Sequence, residues 1–135
     1  GITPLAMPDY ATASSCHLFI FRFDSGSFGG IIKDKFVKAL NAEGIRPAHG
    51  GYFTPVYRQP VLLDKTTGPF DQLSHHEFQG KVIDYADFHC PAAERATDSE
   101  AVWLLQNLLL SDSQGLEQIV EAVRKISLNY SELID

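Results

Sequence analysis

The sequence predicts an α+β fold in which a small antiparallel or mixed sheet is covered by helices on one face. Three segments lead to this prediction: an alternating apolar stretch at 17–24, a helix-spaced apolar set at 32–40, and an amphipathic stretch near the C-terminus. The chain has 135 residues, which is the length of one ordinary domain. We therefore expect residues 1–135 to form a single domain with its own core.

The first strand and the first helix are predicted from side-chain spacing. Aromatic residues occupy every second position of 17–24, and such alternation is typical of a strand. These residues are Phe19, Phe21 and Phe23. Further along, Ile32, Phe36, Val37 and Leu40 recur at helical spacing, and Gly44 is a natural residue just beyond a helix end. Residues 45–49 are expected to form a short second strand.

The later elements follow from turn residues and from apolar runs. Prolines and glycines punctuate residues 51–80, which predicts a long ordered loop with room for one short helix. Pro91 suits the first position of a further short helix. The run 101–110 is expected to be a strand as far as Leu105. The last helix is predicted to be capped by Asp112 or Ser113. Its apolar face is expected to carry Leu116, Ile119, Val120, Val123 and Ile126.

Composition narrows the classes of function. The net charge is −6, from 11 basic and 17 acidic residues, and the basic residues are scattered rather than clustered, which argues against nucleic-acid binding. No stretch approaches the roughly 20 apolar residues of a membrane span, and the N-terminus has no signal pattern. Cys16 and Cys90 lack the spacing of a disulfide framework. We therefore expect a cytoplasmic protein with reduced thiols and no membrane partner.

Three catalytic or ligand-binding patterns are weak. Cys90 and His89 are sequence neighbours, whose side chains rarely face each other, so structural roles are favoured over a nucleophile and its base. The group His75, His76 and Glu77, even with His89 and Cys90, lacks the spacing of a structural zinc site, so no metal ligands are expected. The glycines at 26, 29 and 30 do not match a nucleotide-binding fingerprint and favour a flexible connection.

Two segments leave alternatives open. Gln106 and Asn107 interrupt the apolar run 101–110, where burial would oblige each amide to find several hydrogen-bond partners. They form either a satisfied turn or the wall of a site. The loop 50–60 combines two glycines with Tyr52, Tyr57 and Arg58, which is typical of a segment that contacts a ligand or another subunit. The alternative is an aromatic loop that covers the domain's own core.

Three stretches together resemble a known family. They are residues 43–60 (EGIRPAHGGYFTPVYRQP), 90–96 (CPAAERA) and 102–110 (VWLLQNLLL). Their order and spacing resemble the C-terminal part of the DegT/DnrJ/EryC1/StrS sugar aminotransferases. Within that family the stretches look most similar to the branch of scyllo-inosose aminotransferases and aminohydroxybenzoate synthases. The resemblance extends over roughly residues 15–128.

The resemblance implies the small domain of a fold type I, pyridoxal-phosphate-dependent transferase that is usually dimeric and aminates a keto-sugar or cyclitol. In such enzymes a large N-terminal domain supplies the lysine that binds the cofactor, the carboxylate under the pyridine nitrogen and the phosphate contacts. The resemblance therefore implies a domain or fragment that has no catalytic or cofactor-binding residues and is inactive alone. The lysines at 33, 35, 38 and 125 are expected to be solvated residues on amphipathic helices.

By position within the resemblance, Tyr52, Tyr57, Gln106 and Asn107 are the expected substrate-side residues, with Arg58 and Gln59 as weaker candidates. A partner is also implied, either a missing large domain or a second copy of the chain. We expect the loop 52–57 and the surface near Trp103 to form the exposed apolar face that this partner covers. Two other classes of function remain open: a freestanding ferredoxin-like ligand-binding or regulatory module, and a structural interaction domain.

Overall fold

A computed structural model describes residues 1–51, 54–64, 77–78, 81–82 and 84–134 of the chain. The strands are β1 (Ile2–Pro4), β2 (Leu18–Phe23), β3 (Ala48–His49), β4 (Glu77–Phe78), β5 (Lys81–Val82) and β6 (Ala101–Leu105). The helices are α1 (Lys33–Ala42), α2 (Pro60–Leu63), α3 (Pro91–Arg95), α4 (Gln106–Leu109) and α5 (Ser113–Leu128). Short 3₁₀ turns lie at Ser25–Phe28, Val56–Arg58, Tyr85–Asp87 and Tyr130–Leu133, and a π-helical turn spans Ala96–Glu100.

The main sheet has four strands in the order β1-β2-β6-β3, and every neighbouring pair is antiparallel. Since β2 and β3 both run antiparallel to β6, they are parallel to each other and enclose β6 between them. The connection from β2 through α1 to β3 is thus a split β-α-β arrangement. In a separate two-stranded sheet, β4 pairs with β5 in antiparallel orientation. The predicted α+β class is confirmed.

One face of the sheet carries the core. Phe21 pairs with Val102 and Phe19 with Leu104, so the aromatic side of β2 and the buried side of β6 share a face. Helices α1 and α5 cover that face. The buried hydrophobic residues are Phe21, Phe23, Phe28, Ile31, Phe36, Leu40, Ile45, Ala48, Val102, Leu104, Ala122 and Ile126. This arrangement confirms helices on one face of the sheet.

Phe36 lies at the centre of this core and has no exposed surface. Its ring stacks on Phe23 with centroids 4.7 Å apart, and it meets Phe28 at 5.2 Å and Phe21 at 6.4 Å in edge-on geometry. Offset-stacked and edge-to-face rings at such distances stabilise each other beyond the burial of their surface. Phe36 therefore fixes α1 against the sheet and against the turn Ser25–Phe28.

The predicted helices are confirmed with small differences at their faces. Gly44 follows α1 with a φ of 94°, a backbone conformation that favours glycine. The Asp112 side chain accepts a hydrogen bond from the Gly115 N–H at 2.9 Å, so Asp112 caps α5 as predicted. On α5 the predicted Ile126 is buried, and Ile119 and Val123 pack against the core. Leu116 and Val120 are exposed, and Ala122 is buried although it was not predicted to be on this face.

Several elements were not predicted. Strand β1 has three residues, and its pairing with β2 is a long-range contact that no local pattern indicates.

The expected strand at 45–49 is confirmed only at Ala48–His49, and Pro91 begins α3 as predicted. Of the expected loop 51–80, the described part holds the turn Val56–Arg58 and α2. None of the helices in the described ranges combines the length and apolarity needed to traverse a membrane.

A side-chain amide connects α1 to the outer edge of the sheet. The Asn41 amide nitrogen donates to the carbonyls of Val37 at 2.8 Å and Ala48 at 3.0 Å. The Ala48 N–H in turn donates to the Asn41 carbonyl oxygen at 3.2 Å. Both backbone polar groups of Ala48 are therefore satisfied by one side chain, while the residue faces Leu104 on its other side.

Replacement of Asn41 by Ala is expected to destabilise the fold. The change removes the partner of both backbone groups of Ala48, and an unsatisfied buried polar group costs about 1–3 kcal/mol. Urea unfolding followed by far-ultraviolet circular dichroism would measure the loss. Lys38→Ala, on an exposed position of the same helix, is the control and should change the unfolding free energy by no more than about 0.5 kcal/mol. Equal effects of the two substitutions would contradict this role of Asn41.

Candidate functional site

The candidate residues Tyr57, Arg58 and Gln59 lie at the turn Val56–Arg58, which faces the start of α3. The Tyr57 hydroxyl donates to a carboxylate oxygen of Glu94 and accepts from the Cys90 backbone N–H at 3.3 Å. The Gln59 side chain donates to the Thr54 carbonyl at 3.1 Å, within its own segment. Tyr52 lies outside the described residues.

Glu94 accepts from three other residues, and the sequence did not identify it as a site residue. One of its carboxylate oxygens receives the Tyr57 hydroxyl, the Arg58 guanidinium at 2.9 Å and the Cys90 N–H at 3.2 Å. We call the four residues Tyr57, Arg58, Cys90 and Glu94 the Glu94 clamp. Cys90 is the residue before α3, so Glu94 reaches back to a free N–H at the start of its own helix. The clamp thereby joins the segment 54–64 to α3.

The electrostatics of the clamp favour a charged carboxylate and a neutral phenol. The Tyr57 hydrogen bond, followed by the Cys90 N–H and the Arg58 guanidinium, lowers the pKa of Glu94 below its usual value of 4.5. Desolvation, followed by the hydrogen bond to Glu94, raises the pKa of Tyr57 above 10.0. At neutral pH the Tyr57 hydroxyl thus keeps its proton and donates it in the hydrogen bond to the Glu94 carboxylate. The Arg58 guanidinium lies 5.5 Å from the centre of the Tyr57 ring, so its charge also meets the aromatic face.

Gln106 and Asn107 are exposed, which corrects the expectation that the whole run 101–110 is buried. Strand β6 ends at Leu105, and both amides begin the short helix α4. Water can therefore satisfy the amides, and neither needs a buried partner. They follow β6, whereas α3 and Glu94 precede it, and a five-residue strand spans about 17 Å. The two amides therefore lie at the end of β6, and Glu94 lies on the helix that precedes this strand in the chain.

Lys33 contradicts the expectation of a solvated surface lysine. It is only 6% exposed, and its ammonium donates to the Gly50 carbonyl at 2.5 Å and to the Thr97 carbonyl. Burial lowers the pKa of Lys33 below 10.5, while the nearby carboxylates of Asp34 and Asp98 oppose that shift. Nothing in the sequence indicates this burial, because the first position of an amphipathic helix normally faces water.

The other helical lysines differ from one another. Lys35 is half-buried, and its ammonium donates to the Leu133 carbonyl at 2.7 Å, so it too is more than a solvated residue. Lys38 and Lys125 are exposed as expected, and Lys125 forms an ion pair with Glu43 at 2.8 Å. The side chains of the remaining lysines, at 65 and 81, lie outside the described residues.

The surroundings of Lys33 do not fit a lysine that binds pyridoxal phosphate. Its amine faces two carbonyl oxygens, and the nearest charges are the carboxylates of Asp34 and Asp98. Oxygen acceptors and carboxylates attract a cation and repel a phosphate group. A cofactor phosphate needs backbone N–H groups or cationic side chains instead. Lys33 is therefore a lysine held for structure, and the cofactor does not fit this pocket.

The remaining candidate groups have no geometry of a reactive site. Cys90 is exposed at the start of α3, and its backbone rather than its thiol takes part in the clamp. Within the described ranges, no three His, Cys, Asp or Glu side chains are placed to hold a metal ion. His75 and His76 lie outside the described residues, as does the side chain of Glu77.

Comparison with known proteins gives a partial match to aminotransferases, and no family model matches the chain. A putative L-glutamine:3-amino-2,3-dideoxy-scyllo-inosose aminotransferase of Micromonospora echinospora is 30% identical over 133 residues, which cover 98% of this chain and 31% of that protein. Proteins of the same name from Streptoalloteichus tenebrarius and Streptomyces kanamyceticus are 30% and 31% identical over 98% and 100% of this chain. They are matched over 32% of their own lengths. The chain thus spans about a third of the length of these curated relatives.

Substitution of Glu94 by Gln is expected to lower stability at neutral pH and to have less effect in acid. The folded-state pKa of Glu94 is depressed, so its contribution is present above pH 4.5 and is lost as the pH falls through the lowered value. Urea unfolding at pH 7 and at about pH 3 would compare the variant with the parent chain.

The matched control is Glu121→Gln, which removes an exposed ion pair with Arg124 on α5. The loss of unfolding free energy in this control should be small at both pH values, since exposed ion pairs contribute little to stability. The role assigned to Glu94 is wrong if the stability deficit of Glu94→Gln is the same at pH 7 as in acid.

Proposed function

We propose that this chain is the C-terminal small domain of a pyridoxal-phosphate-dependent aminotransferase that acts on a keto-sugar or cyclitol, and that it is not catalytic alone. The observation that carries the proposal is the match to three aminotransferases over 98–100% of the chain but only 31–32% of their lengths. The α+β architecture, with helices on one face of a four-stranded sheet, is of the kind expected for such a domain.

The chemistry explains why such a domain needs a second one. Bound pyridoxal phosphate supplies an electron sink for amino-group transfer, provided that the protein holds its ring, its phosphate and a reactive lysine. In this chain the buried Lys33 amine is engaged by two backbone carbonyls. Its carboxylate neighbours are the wrong charge for a phosphate. We infer that the cofactor contacts come from the large domain.

The substrate-side role is assigned first to Gln106 and Asn107. Both are exposed at the start of α4, directly beyond a strand of the sheet, so a rigid element presents them. An amide side chain donates and accepts hydrogen bonds at once, which suits the hydroxyl groups of a sugar or cyclitol ring. Tyr57 is a weaker candidate for a hydroxyl contact, because its proton is already donated to Glu94. Arg58 is 39% exposed at its side chain and retains donors that can face a ligand.

The proposed partner is the large domain, or a second copy of the chain as in a dimer. Apolar side chains on the face of the sheet opposite the core are only partly covered, among them Ile20, Trp103 and Leu105. On the helical side, Leu110 and Val120 are 76% and 57% exposed. Apolar surface of this kind is typical of a region that another domain covers.

The first test is whether the isolated chain binds the cofactor. The proposal expects no visible absorbance band from protein-bound pyridoxal phosphate after incubation and gel filtration, because the reactive lysine lies in another domain. The Micromonospora echinospora relative is the positive control. A yellow chain whose colour is removed by borohydride would contradict the proposal, since it would place a complete cofactor site within these 135 residues.

The second test is a chimera in which this chain replaces the matching third of the Micromonospora echinospora relative. The proposal expects a folded chimera that binds pyridoxal phosphate and transfers an amino group from L-glutamine. In the chimera, Gln106→Ala or Asn107→Ala should raise KM for the keto substrate about tenfold, as expected for loss of one or two hydrogen bonds. Gln118→Ala, which removes an exposed amide from α5, is the matched control.

Two results would count against the proposal. A chimera that folds and binds the cofactor but lacks transamination would contradict the assignment of the domain. A chimera that is active but indifferent to both amide substitutions would leave the domain in place and remove Gln106 and Asn107 from the site. Steady-state kinetics with the amino donor saturating separate these outcomes.

A further inference from the structure

Lys33 holds together two chain segments that are far apart in sequence. Its amine reaches the carbonyl of Gly50, just after β3, and the carbonyl of Thr97, in the turn that leads into β6. A neutral amine has two N–H groups and an ammonium has three, so either form can serve both acceptors. The contact therefore requires a donor amine at this buried position.

Both anchored segments lead directly to the Glu94 clamp. Gly50 is followed by Gly51, which is buried against Ala101 at the start of β6 and has a φ of 84°. The chain then continues to Tyr57 and Arg58. On the other side, Thr97 comes three residues after Glu94, and its hydroxyl donates to the Ala93 carbonyl at 2.7 Å. The same buried amine thus contacts the chain seven residues before Tyr57 and three residues after Glu94.

We propose that Lys33 is the positioning residue of the Glu94 clamp: its buried amine sets the distance between the segment that carries Tyr57 and Arg58 and the helix that carries Glu94. This arrangement makes α1 the common support for both halves, because Lys33 is the first residue of α1. Any effect of this positioning on substrate binding rests on the proposed function. The geometry of the clamp is independent of that proposal.

The titration of the Tyr57 phenol reports on the clamp. Desolvation and, after it, the hydrogen bond to Glu94 raise the pKa of Tyr57 above 10.0, and both depend on the two segments staying together. Carbon NMR of the chain labelled at the tyrosine Cζ would follow each of its five tyrosines, with Tyr57→Phe to assign the signal. This measurement requires neither cofactor nor catalytic activity, so a failure of the proposed function would not alter its result.

Lys33→Met removes the amine with little change in volume. We expect it to shift the pKa of Tyr57 back toward 10.0 and to raise amide exchange at residues 54 and 56–59 roughly tenfold, without a matching rise in α5. Lys38→Met is the control, because Lys38 is exposed on the same helix and also lines the cleft beside Lys33. It should leave the Tyr57 titration unchanged.

Chemical rescue separates positioning from general stability. In a Cys16→Ser, Cys90→Ala background, which keeps the backbone N–H that residue 90 gives to the clamp, a Lys33→Cys chain would be aminoethylated while unfolded and then refolded, which restores an amine at nearly the original reach. We expect the Tyr57 pKa to rise again in the aminoethylated chain and not in the same chain alkylated with a neutral ethyl group. Should either variant be unfolded, the comparison is made in sucrose, which favours the folded state.

The proposal is overturned if folded Lys33→Met leaves the Tyr57 pKa where it is in the parent chain. It is equally overturned if the neutral ethyl group restores that pKa as well as the amine does.

Discussion

The packing of the Phe36 ring against the aromatic rings of β2 and the turn Ser25–Phe28 is the contact on which the rest of the molecule depends. It places α1 across the sheet, and α1 in turn carries Lys33 and Asn41, one on each side of Phe36. Those two polar side chains then reach Gly50 and Ala48. An apolar contact in the core thus determines where the backbone enters the segment that bears Tyr57 and Arg58.

The part of the fold that the sequence predicted is the part governed by local periodicity. The aromatic alternation of β2, the spacing around Phe36 in α1 and the Asp112 cap of α5 are each encoded within a few residues. Strand β1 is different, because three residues become a strand only when the edge of β2 is already present. The pairing of β1 with β2 is a tertiary contact, and no local sequence pattern predicts it.

The candidate site also has a part that the sequence predicts and a part that only the tertiary structure shows. Tyr57, Arg58 and the two amides could be selected by residue type and by resemblance, yet their surroundings could not. Glu94 lies 37 residues from Tyr57, so no spacing in the sequence could show that one carboxylate oxygen receives three donors. For Gln106 and Asn107 the sequence leaves open whether they form a satisfied turn or the wall of a site. Their exposure follows from the end of β6 at Leu105, which a run of leucines does not reveal.

The Asn41 amide also closes an edge of the sheet. β3 is the last strand on its side, and an edge strand normally presents unpaired N–H and C=O groups that can recruit a strand from another molecule. At Ala48 both outward groups are already bonded to Asn41. At the opposite edge, β1 is only three residues long and ends in a proline, which cannot donate to a further strand. The Asn41 amide therefore protects the β3 edge of the sheet from edge-to-edge aggregation, and the short length of β1 with its terminal proline protects the opposite edge.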